Sequence, residues 1–287
     1  MRIFLTGATG FVGSHVLAMA LAAGHQVVAL RRPGASTRLP LDQQPQWVEG
    51  SLSDDWTLAL QDCDALLHLA AHGVASGAHD WDACLQINVV DAVHLWRQAI
   101  NVGLRRFVIV GSCFEYGLAG ERYEFIPIDA PLQPTTAYGA SKAAASTAAF
   151  ALAVEHQLEL VVARLFHVYG QGEAPGRFWP SLVSAAQNRE DLPMTSGRQV
   201  RDFQPVEQAA EQILQCLQIH AAQPGQPRVV HLGTGRPRSL LQFAQDEWTR
   251  LGASGQLRPG EVTHRPNEVW RFVPEITDLS QSSEKPS

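Results

Sequence analysis

The 287-residue chain carries 45% hydrophobic and 17% charged residues, the balance of a folded protein with room for one large core and a smaller lobe. A net charge of −6 without a basic run argues against a surface built to grip nucleic acid, and no apolar run is long enough to span a bilayer. Four scattered cysteines (Cys63, Cys84, Cys113 and Cys216) form no C-x-x-C pair, which predicts reduced thiols in a cytoplasmic protein rather than disulfides or a zinc site.

From the start, Met1 to Gly7 reads as a strand running into a turn, without the charged start and cleavage site of a signal peptide. The first half then alternates short β-rich runs with helical stretches. Strands are predicted at Ile3–Thr6, Gln26–Leu30, Gln46–Val48, Ala65–Leu69, Arg106–Val110 and Leu160–Leu165, several of them nearly all apolar, as parallel strands covered on both faces are. Helices are predicted over Val12–Ala23, Asp82–Val102 and Ala140–Gln157. This order implies an α/β fold, a Rossmann-like doubly wound parallel sheet with right-handed crossovers. After Tyr169 glycine, proline and glutamine become frequent, and helices are predicted near Phe178–Asn188, Val206–His220 and Ser239–Leu251, with a strand at Arg228–Leu232. The dinucleotide-binding domain is expected over 1–168 plus about 200–235, a smaller C-terminal substrate-binding lobe over about 169–199 plus 236–278, and a flexible tail over 279–287. His68, His72 and His79 lack a supporting carboxylate pattern, so no metal is expected.

Gly7, Gly10 and Gly13 fall in a G-x-x-G-x-x-G spacing at the first strand-to-helix junction. The first glycine permits a tight turn, the second lets backbone approach a pyrophosphate, and the third lets helix and strand pack closely. Phe11 and Val12 open a helix whose free N–H groups suit an anion. After the second strand an NAD site normally presents an acid to the ribose 2′-hydroxyl. Here Arg31 and Arg32 stand instead and no acid appears until Asp42, so NADP(H) is favoured over NAD(H); the bland alternative is two solvated arginines.

Tyr138 and Lys142, four apart on a predicted helix, share one face. A nearby cation lowers a tyrosine pKa, so the phenol is expected to exchange a proton with a substrate oxygen while hydride moves at carbon. Ser112, at a strand end, is placed to donate a hydrogen bond to that oxygen.

Together these residues resemble the extended short-chain dehydrogenase/reductase family, in its nucleotide-sugar epimerase, dehydratase and reductase branch. The resemblance runs through the glycine turn, Leu67-His68-Leu69-Ala70-Ala71, Asn88, Gly111-Ser112-Cys113-Phe114-Glu115-Tyr116-Gly117 and the Tyr138/Lys142 motif. It continues through Ala163 to Gly170, Arg201-Asp202-Phe203, His231 to Gly235 and Arg265-Pro266-Asn267-Glu268. It implies that Leu69, Ala70, Ala71 and Asn88 line the cofactor and that Lys142 also holds the nicotinamide ribose. It also implies that Cys113, His167, Arg201 and Arg265 approach a sugar nucleotide, and that the helices over 82–102 and 140–157 pair two subunits as a homodimer. For each arginine a lobe-stabilising ion pair is the alternative. Ser51 replaces an aspartate often found after the adenine-side glycine, and His167 an asparagine.

Dehydratases of the branch carry an Asp-Glu pair where this chain has Cys113 and Phe114, which excludes dehydration of the usual kind. The resemblance therefore implies a reductase acting on a nucleotide-linked 4-keto-6-deoxysugar. A C4 epimerase is the close alternative, and a dinucleotide-binding sensor without catalysis the distant one.

Overall fold

Ile3, Phe4 and Leu5 are all buried although their side chains alternate in direction, so this strand is covered on both faces. In the computed structural model, which describes residues 1–74, 80–218, 223–264 and 268–276, that strand is the centre of an open sheet. In chain order the first half forms β1 (Arg2–Thr6), α1 (Phe11–Ala22), β2 (Gln26–Arg31), β3 (Gln46–Glu49), α2 (Thr57–Leu60), β4 (Ala65–His68), α3 (Trp81–Leu85), α4 (Ala92–Asn101), β5 (Arg106–Ser112), α5 (Ala137–His156) and β6 (Glu159–Leu165). The second half adds β7 (His167–Tyr169), α6 (Phe178–Asn188), β8 (Leu192–Met194), β9 (Val200–Pro205), α7 (Val206–Cys216), β10 (Arg228–Leu232), β11 (Pro237–Ser239), α8 (Leu240–Arg250), β12 (Leu257–Pro259) and β13 (Arg271–Phe272).

Seven parallel strands run in the order β10-β6-β5-β4-β1-β2-β3. The order reverses between β1 and β4, which opens a crevice at their carboxyl ends. Alternation divides the interior into two cores. Ile3, Leu5, Val108 and Val110 pack with Val16 and Leu17 of α1 and Ala210 and Ile213 of α7. Phe4, Phe107 and Ile109 point the other way, onto Leu95 and Trp96 of α4 and Ala145 and Ala149 of α5. The predicted doubly wound α/β fold is the observed one.

The smaller layer begins without a break. Phe166 still donates its N–H to the Leu232 carbonyl beside the large sheet, and the next residue opens β7, which pairs with β9. β11 and β13 flank β9, β8 pairs with β12, and α6 and α8 share a core around Leu182, Met194 and Trp248. The chain returns through Gly233–Gly235, a turn gripped by the Asp202 carboxylate through the N–H groups of Thr234 and Gly235, both at 2.7 Å.

The helix predicted over Asp82–Val102 is divided. Between α3 and α4, residues Gln86–Asp91 form a π-helical turn. One extra residue in that turn rotates Asn88 inward, where it is buried. Hydrophobic periodicity does not register such an insertion, because apolar residues resume in phase on α4.

Candidate active site

The β1–α1 turn is built for close approach of backbone. Gly7 has φ +75°, and a Cβ there would lie 2.7 Å from the Ala70 nitrogen and the Leu69 carbonyl carbon. A Cβ on Gly13 would lie 2.0 Å from the Gly7 carbonyl oxygen. Thr6 fixes the facing segment: its hydroxyl accepts the Ala70 N–H at 3.2 Å and its carbonyl the Leu69 N–H. Gly10 is the N-cap of α1, with no side chain bonded to the first turn and no acid in it. Backbone donors, free of carboxylate competition, therefore point toward the crevice beside Phe11 and Val12, which fits a dinucleotide pyrophosphate.

At the far end of β2, Arg31 bonds Glu49 of β3 at 2.6 Å and lies over the Trp47 ring. Arg32 is exposed. Asp54 closes its own turn by accepting the Ser51 N–H and hydroxyl.

The reacting groups predicted from sequence meet at the carboxyl ends of β4, β5 and β6. Ser112 ends β5 and caps a short 3-10 turn: its Oγ accepts the Phe114 N–H, and its own N–H is bound by Glu115 Oε1 at 2.8 Å. Tyr138 and Lys142 lie a turn apart on α5, whose N-cap Thr136 accepts the Gly139 N–H. Lys142 is buried and its ammonium donates to the Val110 carbonyl oxygen at 2.7 Å. Asn88 donates to Ser141 Oγ at 2.8 Å and to the His72 carbonyl, and accepts the His72 N–H. Its amide thus ties the β4 loop to the helix carrying Tyr138 and Lys142.

The electrostatics differ from the sequence expectation in one respect. Burial pushes the Tyr138 phenol up, opposed by the approach of the Ser112 hydroxyl and, more weakly, by Arg177, while Cys113 and Glu115 push it further up. The folded protein holds a neutral phenol. A spacing of four places the ammonium on the right face; it does not reveal how dry that face is.

Phe114 and Cys113 lie beside Tyr138, and His167 packs on Phe114. The Phe114 ring, 39% exposed, meets the rings of Tyr138, His167 and Phe272 at 6.1–6.3 Å. Burial pushes the Cys113 thiol up to about 12 and holds His167 well below the usual histidine range. Neither is an acid–base pair of the kind dehydration needs. Arg201 is close enough to bias both groups, but its guanidinium already bonds Glu268 at 3.1 Å and the Val269 and Val200 carbonyls. That is the ion-pair arrangement rather than an open fork. Arg265 and His79 lie outside the described residues.

Three participants escaped the sequence reading. Arg177, the N-cap residue of α6, reaches the Val74 carbonyl at 2.7 Å, and burial raises Glu173 to about 7; their glycine- and proline-rich loop carries no local signal. Glu115 is different, because Ser112-Cys113-Phe114-Glu115 is a legible capping box. Its carboxylate is fully buried, with Oε2 accepting from Ser146 Oγ and Arg164 Nε, both at 3.0 Å. Arg164 continues to the Tyr116 hydroxyl, and Tyr116 donates to His231 Nε2, since His231 Nδ1 faces the Glu275 carbonyl.

Buried histidines make the fold sensitive to acid. Burial takes His68 down to about 3 and His231 to about 4, and it also lowers His167. Each is neutral when folded, whereas unfolded histidine takes up a proton near 6.5, so stability is full above that value and lost as pH falls below it. The loss reaches up to about 1.4 kcal/mol per histidine and pH unit until the folded pKa is reached. Denaturant midpoints should therefore fall steadily from pH 7 to pH 5, with a shallower slope in His231→Gln. A midpoint independent of pH over that range would contradict the assignment.

Among the described residues no helix is long and apolar enough to cross a membrane, and no group of three or more His, Cys, Asp or Glu side chains is placed to hold a metal ion. The sequence model of the NAD dependent epimerase/dehydratase family matches residues 3–233. An Arabidopsis thaliana trifunctional UDP-glucose 4,6-dehydratase/UDP-4-keto-6-deoxy-D-glucose 3,5-epimerase/UDP-4-keto-L-rhamnose-reductase is 26% identical over 287 residues, covering 94% of this chain and 43% of the plant protein. The chain thus spans less than half the length of that relative. A dTDP-6-deoxy-L-talose 4-dehydrogenase (NAD(+)) of Aggregatibacter actinomycetemcomitans is 27% identical over 253 residues, 86% of this chain and 89% of its own. The solved structure of MoeE5 in complex with UDP-glucose and NAD superposes with a TM-score of 0.82 at 26% identity, covering 98% of this chain and 92% of that one. The chain belongs to the NAD dependent epimerase/dehydratase family, within the extended short-chain dehydrogenase/reductase enzymes.

Proposed function

We propose that the chain is an NADP(H)-dependent oxidoreductase that reduces a nucleotide-linked 4-keto-6-deoxysugar. The observation that carries this reading is Tyr138, a phenol kept protonated between Ser112 and Phe114 at the mouth of the dinucleotide crevice. A protonated phenol is what ketone reduction needs. When bound, the nicotinamide supplies the hydride to the carbonyl carbon. Tyr138 then gives its proton to the carbonyl oxygen, Ser112 donates a hydrogen bond to the same oxygen, and Lys142 offsets the negative charge left on the phenol. Gly7, Gly10 and Gly13 cradle the pyrophosphate, while Leu69, Ala70 and Ala71 wall the crevice and Asn88 keeps that wall against α5.

Three features support the substrate class. Cys113 and Phe114 offer no acid or base for dehydration, Phe114 presents an apolar ring beside the reacting phenol, and one relative is named for oxidation at C4 of a 6-deoxysugar nucleotide. The preference for NADP(H) rests on the β2 edge. Glu49, the acid nearest the second strand, is engaged by Arg31, and Arg32 adds a second cation.

NADPH should be oxidised stoichiometrically by dTDP- or UDP-linked 4-keto-6-deoxyglucose, and Tyr138→Phe should cut turnover by about 10²–10⁴-fold with cofactor affinity nearly intact. Full activity in that variant would refute the proton role, and isomerisation of a sugar nucleotide without net cofactor change would establish an epimerase instead. Removing both guanidinium groups in R31A/R32A should weaken NADPH by roughly ten- to a hundredfold and NADH far less; equal losses would show that they do not read the 2′-phosphate. Trp81, Leu85, Val90 and Val154 leave an apolar strip exposed along α3, the π-helical turn and α5, which supports a homodimer. Light scattering at micromolar concentration should give twice the chain mass of 31.3 kDa; a monomer would refute the pairing.

A further inference from the structure

Among the described residues, Glu115 is the one buried carboxylate that touches the proposed machinery from two sides. It leaves the 3-10 turn after β5 and lies under α5, with no exposed surface. Oε1 accepts the Ser112 N–H, and Oε2 accepts from Ser146, four residues beyond Lys142 on the same helical face. Tyr138, Lys142 and Ser146 thus form a ladder with the carboxylate at its foot. The approach is sterically prepared: a Cβ on Gly111 would lie 2.5 Å from Glu115 Oε1. Any larger residue there would displace the carboxylate from the Ser112 N–H.

We infer that Glu115 is a positioning residue for the reaction, fixing the Ser112 backbone and supplying the buried negative charge beside which Lys142 sits. This rests on the reading of Ser112, Tyr138 and Lys142 as the reacting groups. Lys142 is buried and its ammonium has one hydrogen-bond acceptor, the uncharged Val110 carbonyl. The titratable groups facing it are His68 from β4, Tyr138 on α5 and Glu115 after β5; Arg164 and Cys113 lie beside Glu115 and Tyr138 in turn. His68 is neutral, burial keeps Tyr138 and Cys113 protonated, and Arg164 bonds the carboxylate itself. Burial lowers the Lys142 pKa, and Glu115 is the group that opposes it. No salt bridge joins the two, so the support acts through space and leaves the ammonium's remaining donors available. A pairing with Arg164 alone would not require this carboxylate, since buried ion pairs are often replaceable by apolar side chains without loss of stability. The bonds to Ser112 and Ser146 are what an apolar pair could not provide.

The chain contains two lysines, Lys142 and Lys285, so protein labelled with 13Cε-lysine gives two resonances to follow through a pH titration. In Glu115→Gln the amide oxygen still accepts the Ser112 N–H but the charge is gone. The Lys142 midpoint should fall by about one pH unit or more while Lys285 is unmoved. The double variant E115Q/R164M removes both charges of the buried pair and guards against misfolding of the single variant; it should still show a fall, smaller because losing the Arg164 cation favours the Lys142 ammonium. A Lys142 midpoint unchanged in a folded variant would overturn the inference, even with Tyr138→Phe inactive in the NADPH assay. A shifted midpoint with Tyr138→Phe fully active would instead remove the reading on which the positioning role rests.

Discussion

A charge taken out of water must be met by another charge or by several hydrogen bonds. The carboxyl edge of β4, β5 and β6 is organised around that requirement. Lys142 and Arg164 are both buried there, Arg164 bonds Glu115, and the Glu115 charge favours the charged form of Lys142. Three parts of the site hang from this carboxylate: Ser112 through its N–H, α5 through Ser146, and the second half of the chain through Arg164, Tyr116 and His231. His231 ends on the Glu275 carbonyl, so the network runs from the reacting serine to the last described segment of the small layer.

The same network explains how a site can lie between two layers without blurring. The chain leaves the large sheet at Phe166 and returns to it through β10, and both passages are pinned. Asp202 holds the Gly233–Gly235 turn, while Arg164 holds the Ile128 carbonyl of the loop before α5. Phe114 meets Tyr138 at this seam, and His167 packs against Phe114.

What the sequence makes legible follows from how local each signal is. The parallel strands are visible because burial on both faces demands unbroken apolar runs, and the glycine turn because close backbone contact excludes a Cβ at fixed positions. Ser112, Tyr138 and Lys142 are legible as types at a spacing, and the fold brings them together. Beyond that range the signal fails. Arg201 finds Glu268 across 67 residues, so an arginine read as open to phosphate is an ion pair. Strands of two or three residues such as β8 and β13 are too short to carry a period. The π-helical turn hides in a pattern that looks helical on both sides. Glu115 lies between these extremes: its capping-box spacing is local, but its burial depends on Ser146 and Arg164.

The state of Tyr138 carries the chemical argument furthest. Spacing alone suggests a tyrosine lowered by its lysine, able to give or take a proton at a substrate oxygen. In the fold the phenol is pushed up by burial first, then by Cys113 and Glu115, and the Glu115 charge also favours the charged form of Lys142. Burial keeps the phenol protonated, and Glu115 adds to that effect while opposing the effect of burial on the ammonium. That arrangement suits proton delivery to a ketone oxygen, because the acid is loaded before hydride arrives and the phenolate formed meets a cation already in place. In the reverse direction the phenol must first lose its proton against burial and the Glu115 charge.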